Sequence, residues 1–210
     1  MPNAPVRVAV FGSFYRGFYV LAELLHGRHR EKFQVVGVAT DDVSQPFISG
    51  AKRVWQYPHR TDEETMVEDL AARHAIPAWK GRVKTEDFYA LHENTWRPDL
   101  CIAATFGQRI DARLYRHPRL GFYNIHPCIP AGWPSRYAGP NPFQAMKDDG
   151  RESVVAALHL VDDGFDTGTL IAYSEPVAFP PEASIIDMHK ITSPLFARFA
   201  IEALVARIGR

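Results

Sequence analysis

The chain has 210 residues, 46% of them apolar and 23% charged, a composition that fits one soluble globular domain and excludes a disordered or collagen-like chain. Lysine and arginine (24) balance aspartate and glutamate (24), so no net charge draws the molecule to nucleic acid or membrane, and no basic cluster marks an RNA-binding face. Two cysteines make no disulfide framework, and the absence of a signal-peptide pattern or an apolar run of transmembrane length gives a cytoplasmic expectation.

The first strand is expected at Arg7–Phe11, a β-branched run closed by Gly12-Ser13. A loop from Phe14 to Gly17 and a helix from Phe18 to Leu25 lead to a second strand at Phe33–Thr40. Continuous apolar strands suggest a parallel sheet covered on both faces. Residues 41–60 read as irregular, with the aromatic and basic mix KRVWQYPHR. Thr61 is expected to cap a helix with an acidic first turn, running to about His74. A short piece at Ile76–Trp79, a helix from Thr85 to about Asn94, and strands at Leu100–Thr105 and Gly121–His126 follow. Pro127–Pro142 is a long proline- and glycine-rich loop that contains Cys128. Phe143–Lys147 reads as a short helix, and Ser153–Val161 and Leu170–Val177 as strands around the turn DDGFDTG. Ser184–Ile208 is a terminal helix in one or two pieces around Pro194. Without repeats or a linker, residues 1–210 read as one α/β domain.

Three polar constellations stand out. GSFYRG places glycines before a helix N-terminus, where free N–H groups suit an anion. It matches neither the dinucleotide fingerprint nor the P-loop, so a tight β-α turn is the plainer reading and a nucleotide-binding module the rival. Asn124 and His126 alternate onto one side of a strand end, where α/β sheets gather ligands, although taken alone they are more plainly read as hydrogen-bonding the adjacent loop. Asp162, Asp163 and Asp166 lie in a glycine turn; the calcium-loop spacing is absent, so turn geometry is the expectation and no metal is expected.

Taken in order, NIHP (124–127), GPNPFQAM (139–146) and ALHLVDDGFDTGTLI (157–171) resemble the folate-dependent formyltransferases. These include glycinamide ribonucleotide transformylase, the catalytic domain of methionyl-tRNA formyltransferase, and sugar- and siderophore-modifying relatives. RPDLCIAATFGQRIDARLYRHPRLGFYNIHP (97–127) extends the likeness upstream. Motifs carry it over residues 97–178, and the order of elements carries the rest.

The resemblance implies a Rossmann-like, mostly parallel twisted sheet with helices on both faces, and 10-formyltetrahydrofolate as formyl donor. It implies that Asn124, His126 and Asp166 are the catalytic trio. The folate pocket falls on Thr105, Phe106, Gly107, Gln108 and Ile110, together with the backbone of Asp162, Asp163, Gly164 and Phe165. Asn124 and a protonated His126 would donate to the developing oxyanion, with Asp166 orienting His126 and helping to take the amine's proton. Cys128, two residues from His126, offers a rival nucleophile, whereas the family transfers directly.

The sequence also departs from the family. The usual Ser-Leu-Leu-Pro after the histidine is Cys128-Ile129-Pro130, and the loop before Gly139 is longer. The tRNA-binding domain and the Gly-Ser-Gly-Ser phosphate loop are missing, which disfavours tRNA and ribonucleotide acceptors. The expected partner is a small-molecule amine or hydroxylamine, not nucleic acid or a membrane. Within the family, FGQRIDARL, GFYNIHPCI and GWPSRYAGPNP look most like the hydroxyornithine-formylating siderophore branch. The alternatives are a nucleotide-linked amino sugar, with Arg16, Lys52, Arg53, Trp55 and Tyr57 as its cradle, and hydrolysis of the formyl-folate.

Overall fold

The N-terminal apolar run becomes β1 (Val6–Gly12), an interior strand of a mixed sheet. The protein is described from a computed structural model over residues 4–45, 54–130 and 133–209. Helix α1 (Phe14–His26) returns the chain to β2 (Phe33–Thr40), which pairs parallel with β1. Helix α2 (Thr61–Arg73) leads to the edge strand β3 (Ala78–Lys80), and α3 (Glu86–Ala90) leads through a π turn to β4 (Leu100–Ala104). After α4 (Ala112–Tyr115) comes β5 (Phe122–Cys128). The sheet runs β3-β2-β1-β4-β5 in parallel and is then completed by antiparallel strands. Those strands are β6 (Ser153–Leu160) and β7 (Leu170–Tyr173), with β8 (Val177–Ala178) also paired to β6. Helices α5 (Pro142–Asp148) and α6 (Ile185–Ile208) follow β5 and β8.

Strand alternation sorts the core onto two faces. Val8, Val10, Leu100 and Ile102 pack with Val20 and Leu24 of α1, Leu70 of α2 and Phe196 and Leu204 of α6. Their neighbours Ala9, Phe11, Cys101 and Ala103 pack with Phe88, Trp96 and Leu114 on the other side. Helices therefore cover both faces, as the resemblance implies.

Local differences from the sequence reading have physical causes. Phe14–Gly17 is the first turn of α1, not a loop, because Gly12 and Gly17 let the helix start against the strand end. A Cβ on Gly17 would fall 2.6 Å from the Gly12 carbonyl carbon. Thr61 is the first helical residue, and Glu63 accepts from Arg60 N at 2.9 Å to close the helix start. The helix expected to about Asn94 widens out of α geometry after Ala90 into a π turn: Arg97, at φ 44°, donates to His92 O ahead of Pro98. Cys128 is the last residue of β5, held in the antiparallel ladder opposite Val155, and lies outside the loop. The strand expected at Leu170–Val177 divides into β7 and β8. Helix α6 runs unbroken through Pro194. Lys52 and Arg53 lie outside the described residues.

Candidate active site

The parallel pairing of β4 with β5 ends at Ala103–Asn124, and beyond it β5 continues against β6 alone. Asn124 and His126 therefore emerge where β4 gives way to the turn from Thr105. That is the carboxyl edge at which open α/β sheets bind ligands. The β6–β7 connection brings Asp166 over them in a left-handed conformation, φ 52°.

Asp166 ties the group together. Its Oδ1 accepts from Asn124 Nδ2 at 2.9 Å, and its Oδ2 accepts from the backbone N–H of Gly139 at 2.9 Å. Oδ2 also lies 3.3 Å from His126 Nδ1, and Oδ1 lies 3.5 Å from His159 Nε2. Burial opposes the carboxylate's charge, but His159, the nearby His126 and the Gly139 N–H outweigh it and hold its pKa down at about 2.

His126 is buried, and its Nε2–H donates to the Tyr137 carbonyl at 2.8 Å. Burial pulls its pKa below the ordinary imidazole range, against the opposing pull of Asp166 and the Tyr137 carbonyl. The protonated resting His126 expected from sequence is thus replaced by a neutral ring, with Nδ1 turned to a carboxylate that stabilises a proton once it arrives. His159 donates from Nδ1 to the Leu160 carbonyl at 2.7 Å, which turns its Nε2 to Asn124 Nδ2 at 3.2 Å. The Trp133 ring packs 4.8 Å from His159 and donates to Gly168 O, fixing the long loop to the hairpin.

Two cavities open on this group. The larger, about 440 Å³, reaches from Asn124, His126 and Asp166 past Thr105–Arg109 to Arg16, Trp55, Tyr57 and His189. The smaller, about 100 Å³, lies between Phe106–Ile110 and Val161–Asp166. Thr105 adopts φ 56°, unusual for a β-branched residue, and its buried hydroxyl has no hydrogen-bond partner. The Gly107 N–H donates to both oxygens of Asp41, where a Cβ would fall 2.5 Å from the carboxylate. Gln108 spends its amide on Val83 N and Gly81 O, a bracing role. Ile110 walls the small cavity, as do Asp162 and Gly164; Asp162 also closes its own turn by accepting from Gly164 N and Thr167 Oγ1. Phe165, 62% exposed, stands at the mouth of the larger cavity beneath the Arg109 guanidinium. Asp163 lines neither cavity; its carbonyl accepts from Arg109 and its carboxylate from Tyr115 Oη.

The Cys128 reading fails on its surroundings. The thiol is buried among Val155, Ala157 and Trp133, and burial pushes its pKa up to about 12. It is therefore no thiolate at neutral pH and lines neither cavity. GSFYRG proves to be the tight turn: Ser13 N donates to the carbonyls of Ala104 and Thr105 rather than presenting itself to an anion.

Residues 6–195 match the family model described as formyl transferase. The chain belongs to the formyl transferase family. The formyl donor of this family is 10-formyltetrahydrofolate. The chain is 27% identical over 185 residues to a methionyl-tRNA formyltransferase of Kosmotoga olearia, covering 87% of this chain and 54% of that protein. It thus spans about half the length of the curated relatives it matches. Among solved structures, a glycinamide ribonucleotide transformylase from Symbiobacterium toebii superposes with TM-score 0.71 at 16% identity, covering 99% and 90% of the two chains. A formyltetrahydrofolate deformylase from Pseudomonas syringae gives 0.68 at 20% identity, covering 98% and 62%. At those identities the structural likeness shows the shared fold.

Within this formyl transferase fold the structure adds residues that the sequence reading missed. His159 joins Asn124 and Asp166 because the β5–β6 register sets it directly opposite Asn124. His189 reaches the larger cavity from α6, beside Arg16 of α1, which the sequence reading named only for the amino-sugar alternative. No helix among the described residues is long and apolar enough to cross a membrane.

Proposed function

We propose that the chain transfers a formyl group from 10-formyltetrahydrofolate to the nitrogen of a small-molecule amine or hydroxylamine, with hydroxyornithine as the acceptor. The observation that carries this reading is the Asp166 carboxylate. It is shared between Asn124 and His126, as a reaction that both develops negative oxygen and releases a proton requires. The donor supplies a formyl carbon to which the acceptor nitrogen adds, and its own nitrogen leaves with the proton.

The chain's residues fit such a donor. Phe106, Ile110 and Val161 wall a narrow slot of about 100 Å³, edged by Asp162 and Gly164, and the exposed Phe165 offers a ring face at the adjoining mouth. Asn124 donates to the developing oxyanion through the hydrogen of its longer contact, which it goes on sharing with His159. His126 takes the acceptor's proton at Nδ1, where Asp166 stabilises the imidazolium, and returns it to the departing nitrogen. Asp166 itself, held at about 2, is an electrostatic partner rather than the proton's resting place.

A hydroxylamine suits this site better than an ordinary amine. An alkylamine with a pKa near about 10.4 must lose a proton to react at pH 7, costing roughly 4–5 kcal/mol. A hydroxylamine is far less basic and arrives neutral. The motif likeness to the siderophore branch supports the same acceptor.

The test is incubation with 10-formyltetrahydrofolate and a panel of acceptors, read by mass spectrometry for gain of one formyl group. Hydroxyornithine should be formylated, ornithine much more slowly, and a dTDP-amino sugar not at all. Efficient formylation of the sugar with hydroxyornithine inert, or rapid release of formate without any acceptor, would overturn the assignment.

A further inference from the structure

Arg16 is a charged side chain that the fold buries without a counter-charge. It is 3% exposed, and its guanidinium rests on the rings of Phe143 and Phe196 at 5.5 and 5.6 Å. Its Nε and Nη2 are buried without a hydrogen-bond partner among the described residues. No carboxylate lies within ion-pair distance of it among the described residues, and the remaining segments contain no aspartate or glutamate. Burial lowers its pKa to about 9, which still leaves it charged at neutral pH. An isolated buried charge is expensive, and proteins keep one where something pairs with it.

Its surroundings show what that something is. Arg16 lines the larger cavity that also holds Asn124, His126 and Asp166. On the same wall His189 packs 4.8 Å from the Phe143 ring with its Nδ1 buried and unpartnered, and Trp55 has its indole N–H buried and unpartnered. Phe14 joins the two, lying 5.5 Å from His189 and 5.4 Å from Trp55. Unspent polar atoms thus share one cavity wall with a buried cation.

We infer that Arg16, with Trp55 and His189 beside it, is the recognition site for an anionic group of the acceptor, a carboxylate. The inference rests on the proposed function and narrows it to an acceptor that carries its reactive nitrogen and a carboxylate on one small molecule. A carboxylate suits the site better than a phosphate ester because a single buried guanidinium balances one negative charge. His189 is kept neutral by burial, so it adds no second charge, and Asp41 on the same cavity repels a dianion. The planar guanidinium matches a carboxylate with two parallel hydrogen bonds. A carboxylate there also screens Arg16 from His126, whose pKa Arg16 lowers, so the base strengthens when the acceptor is in place.

The test is equilibrium binding by calorimetry, independent of transfer, with hydroxyornithine, its carboxamide and an aminoalkyl phosphate as probes. On the wild-type protein the acid should bind about 10- to 100-fold more tightly than the carboxamide, the range expected for a charged hydrogen-bonded pair. The phosphate should gain nothing over the carboxamide. In R16M the acid's advantage should vanish while the thermal midpoint holds or rises, because an uncompensated buried charge has been replaced by an apolar chain. Equal binding of acid and carboxamide, no binding of either, preference for the phosphate, or an advantage that survives R16M would overturn the inference. Formylation of a neutral amine alongside any of these results would leave formyl transfer to a small-molecule nitrogen standing.

Discussion

His159 lies directly across the β5–β6 ladder from Asn124, with its Nε2 3.2 Å from the Asn124 amide nitrogen. Because Nδ1 is committed to the Leu160 carbonyl, Nε2 is the nitrogen turned to both the Asn124 amide and Asp166 Oδ1, so the ring holds the two in place. In the proposed reaction His159 is thus a positioning residue, acting on Asn124 through one contact.

Replacing His159 with alanine should lower kcat about 10- to 100-fold while KM for the donor changes little, as expected when a misplaced group acts in the transition state. A glutamine, which keeps an acceptor at a similar reach, should recover part of the loss. Steady-state kinetics on the two variants decide the matter. Equal effects of alanine and glutamine, or a change confined to KM, would reduce His159 to packing.

Asp166 makes an acid-stability prediction. Its folded pKa of about 2 lies below the ordinary value, so its contribution is fully present above about pH 4 and is lost as pH falls through about 2. The size is about 2 kcal/mol at 1.36 per unit. Urea unfolding should show D166N with a flatter pH dependence than wild type across that window. Parallel curves would mean that Asp166 is not held as the structure shows.

Cys128 separates the direct mechanism from a covalent one. C128S should keep substantial transfer activity at a stability cost of about 1–3 kcal/mol for burying a hydroxyl without a partner. The wild-type thiol should resist alkylation at neutral pH while the protein is folded, since its pKa is pushed to about 12. Complete loss of turnover in folded C128S, or a trapped formyl-thioester, would contradict direct transfer.

How much of this was legible in the sequence depended on distance along the chain. Strand periodicity put Asn124 and His126 on one side, and the order of motifs supplied Asp166, because each is a local signal. His159 needed the β5–β6 register, which no single strand encodes. Arg16 was named only for an amino-sugar cradle, and its burial was hidden by reading Phe14–Gly17 as a loop. Carrying the apolar spacing of Val20 and Leu24 back one helical turn places Arg16 on the buried stripe, where a charge is a signal. The state of His126 was misread because burial, which lowers its pKa, is a property of the packed loop and not of the motif. Cys128 was assigned to a loop because proline at 127 reads as a strand end, yet the antiparallel ladder carries β5 through it.

The central claim is that Asn124, His126 and Asp166 act together on a formyl group. The most direct measurement is single-turnover transfer from 10-formyltetrahydrofolate to hydroxyornithine by wild type and H126A, with circular dichroism confirming the fold of both. Loss of the proton acceptor should slow transfer by about 100-fold or more. A folded H126A protein that transfers the formyl group at a rate near wild type would contradict the account.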